Sequence, residues 1–112
     1  MLDLRLYMIQ RITAMLMAPF VLVHLGVMIL AIQGGLTAAE ILSRTQGSIL
    51  WALFYGGFVL AAGVHGAIGL RVVLYEWAGV SGRALPWISW GIGSALIIMG
   101  LRAVWAVTWG AA

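Results

Sequence analysis

Residues 49–73 read ILWALFYGGFVLAAGVHGAIGLRVV, and this stretch decides the fold. Nothing in it alternates between apolar and polar faces. Apolar residues occupy every side of the 3.6-residue turn, so a helix built from it has no face to offer water. It exceeds the roughly 20 residues that cross a bilayer as a helix. One histidine, His65, lies in its interior, and one arginine, Arg71, near its end.

Two more stretches of the same character flank it, from about Ile12 to Ile32 and from about Pro86 to Trp109. The 112 residues are 64% hydrophobic and 8% charged, against about 25% charged in soluble domains. The expectation is an all-α integral membrane protein: one anchor domain, residues 1–112, with three transmembrane helices in an up-down-up bundle. The first span is too long, and too poor in a small-residue cleavage site, for a signal peptide. The links are too short for a soluble catalytic domain, so chemistry is intramembrane or supplied by partners.

The charge of +3 comes from six arginines and no lysine. They are scattered at span ends, which disfavours nucleic acid as a partner. Arg5, Arg11, Arg71 and Arg83 fall toward one side, and Arg44 and Arg102 toward the other. The excess places the N-terminus and the second link in the cytoplasm. Trp77, Trp87 and Trp90 gather near one interface, Trp105 and Trp109 near the other, as anchoring belts facing lipid. The absence of cysteine excludes disulfides, thiolate-held clusters and covalent c-type haem attachment.

Residues 1–11 are a candidate interfacial lead-in. Pro19 falls inside span one, where a proline frees a carbonyl and often bends the axis. In the first link, Thr37-Ala38-Ala39-Glu40 has the form of a capping box. In the second, Pro86 opens the last helix.

His65 is the first candidate site residue, because an ionisable or metal-ligating side chain at membrane depth is costly. Ala61, Ala62 and Gly69 lie one turn away on its face. That cleared face suits a flat cofactor, so axial ligation of haem is one reading. A histidine bonding a neighbouring helix is the other, and the small residues around Gly66 and Gly69 favour close packing under either. His24 has bulkier neighbours and reads better as a packed histidine. Counted from Arg11 and Glu76, the two histidines lie at similar depths, roughly 16 to 20 Å. They could flank one cofactor, ligate two, or bond each other. Arg11 is a snorkelling arginine or a partner for a haem propionate or a quinone carbonyl. Arg71 suits a propionate reached from His65. Tyr75, Glu76 and Trp77 are belt residues or the lining of a quinone pocket. Arg102 snorkels or meets a partner subunit.

These residues carry a resemblance. Gln10-Arg11-Ile12-Thr13-Ala14 is similar to the Arg-x-Thr-Ala opening of helix one in the hydrophobic anchor (D-type) subunit of succinate dehydrogenase and fumarate reductase, the succinate:quinone oxidoreductases. His65-Gly66-Ala67-Ile68-Gly69, followed by Tyr75-Glu76-Trp77, looks like that family's His-x-x-x-Gly haem-ligand segment with its acidic-aromatic end. Gly69-Leu70-Arg71 looks more like the companion cytochrome b (C-type) subunit. The layout matches over nearly the whole chain.

The resemblance implies an electron-transport anchor in the bacterial cytoplasmic membrane that is not itself the catalytic subunit. It implies haem b, with His65 as axial ligand, and ubiquinone or menaquinone as substrate. Arg11 falls near the family's propionate and quinone arginine. Trp77 stands where D-type subunits usually carry the tyrosine that bonds the quinone, so Tyr75 or a partner takes that role, or the site is altered. His24 would match a second ligand only in two-haem members. The implied partners are a second three-helix anchor subunit (or a second copy of this chain), an iron–sulfur subunit and a flavoprotein. Two alternatives stay open: a haem-free quinone-binding anchor of the same family, and a non-redox assembly or transport subunit.

Overall fold

A computed structural model describes residues 2–110. Met1, Ala111 and Ala112, the outermost residues of the expected single domain, lie outside the described residues. The protein is all-helical. Helix α1 spans Leu4–Gly34, α2 Ala38–Thr45, α3 Ile49–Glu76 and α4 Ala84–Trp105, and the last continues as a π-helical turn over Ala106–Gly110. Three of these segments, Leu4–Gly34, Ile49–Glu76 and Ala84–Gly110, are long and apolar enough to cross a membrane.

Helix α1 starts at Leu4, where the Asp3 carboxylate accepts from the Leu6 amide at 2.8 Å. The lead-in and the first span are therefore one helix. At about 1.5 Å per residue it is roughly 46 Å long, more than the ~30 Å hydrocarbon core. It runs unbroken through Pro19. It stops at Gly34 because Gly35 turns the chain at φ 121°, a conformation that side chains disfavour. A Cβ there would also run into the Glu40 carboxylate. The capping box that opens α2 forms in full: the Glu40 amide donates to the Thr37 hydroxyl at 3.2 Å, and the Glu40 carboxylate accepts from the Thr37 amide at 3.4 Å.

Helix α3 is central, with α1 packed on one side and α4 on another. The α3–α4 seam is built from small residues, which let backbones approach where lipid gives no hydrophobic push. A Cβ on Gly93 would stand 2.6 Å from the Ala67 Cβ, one on Gly100 would strike Val59, and one on Gly63 would strike Ile97. Ser89, fully buried in the same seam, donates to the Leu85 carbonyl at 2.9 Å and so spends its hydroxyl within its own helix. Gly93→Ala is expected to lower the stability of the assembled protein by about 1–3 kcal/mol, the usual cost of overpacking. Thermal inactivation in detergent checks it; an unchanged midpoint would mean the seam is looser than this.

The α1–α3 seam has two halves. Toward the α2 end it is aromatic: Phe20 sits edge-on to Phe54 with centroids 5.3 Å apart and stacks on Phe58 at 5.7 Å. Toward the chain's N-terminal end the contacts are polar and small. The expectation from sequence was that Gly66 and Gly69 make the close packing. Gly69 does meet α1, through Gln10, but Gly66 has nothing within 4 Å of where its Cβ would be. Gly63 and Ala67 make the close approach on the other side of α3, against Ile97 and Gly93 of α4.

The two ends of the chain's far rim are clasped. Thr45, buried at the end of α2, donates its hydroxyl to the Val107 carbonyl at 2.7 Å. The Gly47 amide donates to the Thr108 carbonyl at 2.6 Å. These bonds satisfy carbonyls that a helix terminus would otherwise leave unpaired. Gly47 can present that amide because it turns at φ 73°.

Candidate site around His65

His65 faces α1. Its Nδ1 lies 3.2 Å from the Thr13 hydroxyl oxygen, a contact between residues 52 apart in the chain. Thr13 is itself buried, and its hydroxyl also lies 2.8 Å from the Ile9 carbonyl and 3.0 Å from the Gln10 carbonyl. Among the described residues His65 Nε2 has no hydrogen-bond partner, and it is not enclosed. Beside it Gly66 is exposed, with open space around it. Of the neighbours expected to be cleared, Ala61 is buried in the bundle and Gly69 is met by Gln10. Ala62 stays on an open groove.

The contacts along α1 and α3 fall in one antiparallel register: Gln10 beside Gly69, Thr13 at His65, Phe20 at Gly57 and Phe58, His24 at Phe58 and Tyr55. His24 is thus level with Tyr55, not with His65, and the two histidines are separated by roughly 15 Å along the bundle at about 1.5 Å per residue. The equal depth expected from counting inward from Arg11 and Glu76 does not hold, because Arg11 and Glu76 are not level with each other. His24 is held edge-on by Phe58 and Tyr55, with centroids 5.6 and 6.0 Å away. Its Nδ1 is buried without a partner, and it lines an apolar cavity of about 410 Å³ with Tyr55, Phe58, Ala62 and Val104.

The same register brings Arg11 within about one turn of the His65 level. Arg11 is exposed, with its guanidinium 3.5 Å from the Tyr7 hydroxyl and 5.9 Å from that ring's centroid. Arg71 keeps its Nε buried and unpartnered, and Gln10 does the same with its Oε1. Tyr75 and Trp77 are exposed at the end of α3 and past it, Trp77 at 84%. Among the described residues no hydrogen bond or ion pair joins either to Arg11, and roughly 12 Å of helix axis separates Tyr75 from the Arg11 level. The structure therefore joins His65 to α1 at Thr13, sets Arg11 near that level, and leaves Tyr75 and Trp77 at the rim. Arg102 is exposed and lines an open hollow with Trp105. No cluster of three or more metal-ligating side chains converges among the described residues.

Sequence reading missed Thr13 as a partner of His65. The signal was present: a threonine inside an apolar helix, within the quoted Gln10–Ala14 motif, but the register that puts it opposite His65 is not a local property.

A three-helix membrane anchor with a histidine presented from its central helix is the class that these observations define. The chain belongs to the succinate dehydrogenase/fumarate reductase transmembrane subunit family, whose model matches residues 2–108. No curated protein and no solved structure matches it. It is a membrane-anchor subunit of this family, associated in the membrane with the other subunits of such a complex.

Proposed function

We propose that this chain holds haem b and forms part of the quinone site of a succinate:quinone oxidoreductase, docking the iron–sulfur and flavoprotein subunits on the cytoplasmic face of a bacterial inner membrane. The observation that carries the reading is His65: its Nδ1 is engaged by Thr13 while its Nε2 is open, beside a glycine with free space. One nitrogen serves the contact with α1, and the other is left available to a ligand beside that surface. His65 would hold the haem together with an imidazole from a second three-helix anchor subunit or a second copy of this chain. When bound, the haem would supply a one-electron redox couple.

The remaining residues fit around it. Arg71 lies about 9 Å beyond His65 along α3 with a buried, unpartnered Nε, which suits a propionate. Arg11, whose only side-chain donor contact among the described residues is the 3.5 Å one to the Tyr7 hydroxyl, presents the rest of its fork near the same level, suited to a propionate or a quinone carbonyl. Tyr75 and Trp77 sit at the rim, where a quinone head entering from the membrane–water interface would pass. An indole donates but cannot carry a proton as a phenol does, so Tyr75 is the protonic member of that pair. Succinate chemistry is not on this chain. His24, packed among aromatic rings, is a structural histidine.

The test is a dithionite-reduced minus oxidised spectrum of the whole detergent-purified complex. A b-type α-band is expected, and its absence would leave a quinone-only anchor. Arg11→Gln is expected to slow succinate-driven quinone reduction about 10- to 100-fold, the worth of a charge-assisted hydrogen bond of ~1.5–3 kcal/mol. Reduction of a soluble dye by the flavoprotein should be unaffected. An equal loss of both rates would place Arg11 in assembly instead.

A further inference from the structure

Thr13 enters the reading above only as a contact, yet it is the group through which α1 touches His65. Its hydroxyl has one proton and three neighbours: the Ile9 carbonyl at 2.8 Å, the Gln10 carbonyl at 3.0 Å and His65 Nδ1 at 3.2 Å. Threonines inside helices donate back to the carbonyl four residues earlier, and here that contact is the shortest. With the proton committed to Ile9, the Thr13 oxygen offers His65 only lone pairs. The contact is then a hydrogen bond only if Nδ1 carries the hydrogen.

We infer that Thr13 is a positioning residue that holds His65 in its Nδ1–H tautomer and so leaves Nε2 unprotonated. This inference rests on the haem reading for its purpose but not for its test. A neutral imidazole has one N–H, and the hydrogen bond made by one nitrogen sets which of the two is free to bind a metal. Partners that orient a ligating histidine are commonly carboxylates or carbonyls. A hydroxyl that has already spent its proton is a neutral acceptor, so it fixes the ring without bringing a charge into the membrane. Thr13 is 8% exposed, which favours the protein contact over a water in its place.

The experiment uses the whole complex, ¹⁵N-labelled at histidine and purified from both normal and haem-deficient cells, with His65→Asn identifying the His65 resonances. In haem-free wild type the proton should reside on Nδ1. Thr13→Ser should keep it there. Thr13→Val, which has the same shape and no acceptor, should shift it toward Nε2, and in haem-replete cells should lower haem affinity about 10- to 100-fold, as loss of an orienting partner does. Bound flavin reports assembly. A wild-type His65 protonated on Nε2, or an Nδ1–H that persists in Thr13→Val, overturns the inference. Should Thr13→Val fail to assemble, the wild-type spectrum decides alone. A tautomer shift in a complex that never binds haem would uphold Thr13 and sink the haem reading, so the two failures are distinct.

Discussion

Replacing His65 by alanine is expected to abolish the b-type α-band of the reduced complex while the flavoprotein still co-purifies. Replacing His24 by alanine should leave the band at full height. The two substitutions should also differ in the opposite sense in stability. His65 contributes to the fold one hydrogen bond, to Thr13, worth about 1 kcal/mol. His24 makes edge-on contacts with Tyr55 and Phe58, each worth about 0.5–1.5 kcal/mol beyond area, so His24→Ala should lower the thermal midpoint further than His65→Ala does. A band halved by each substitution would instead mean two haems, one on each histidine. The roughly 15 Å stagger along the bundle gives room for that outcome, but no sharing of one iron within a single chain.

The second large effect is expected at Gly66. A side chain added there starts in open space, since nothing lies within 4 Å of its Cβ, and leucine favours a helix over glycine by up to about 1 kcal/mol. The isolated fold should tolerate Gly66→Leu or gain from it. Haem and the second anchor subunit would meet the new side chain, so haem content and co-purification of that partner should fall together, by tenfold or more if the roughly 1–3 kcal/mol cost of overpacking applies at that contact. Gly63→Leu is the control. Three residues earlier on α3, it strikes Ile97 and should damage the chain's own packing. Unchanged haem content and unchanged co-purification of the partner in Gly66→Leu would show that the surface at Gly66 faces only lipid.

The spans were legible in the sequence because burial in lipid acts on every face at once: an all-round apolar stretch of the right length has few alternatives. The capping box at Thr37 and Glu40 was legible because both partners lie within four residues. The site was legible only in part. His65 announces itself by its cost at membrane depth. Its partner does not, because the depth of one helix against another is set by which side chains interlock. Phe20 against Gly57 and Phe58 draws α1 along α3 until Thr13, rather than His24, reaches the His65 level. Counting from Arg11 and Glu76 assumed flush ends, and α1 runs on to Leu4. Glycines mislead for a related reason. Gly63 and Gly66 are alike in a string, and only the position of α4 decides which one is covered.

The clasp at the far rim sets an order of events during synthesis. Thr45 takes its shorter bond, to the Val107 carbonyl, from 62 residues downstream, so while the ribosome is still making α4 its hydroxyl has only the Ile41 carbonyl of its own helix. Until then the turn between α1 and α3 is unfastened, and the last turn of the final helix latches it. Inserted in this sequence, the chain completes its far rim only once all three spans are across, and a nascent chain halted before residue 107 lacks that latch.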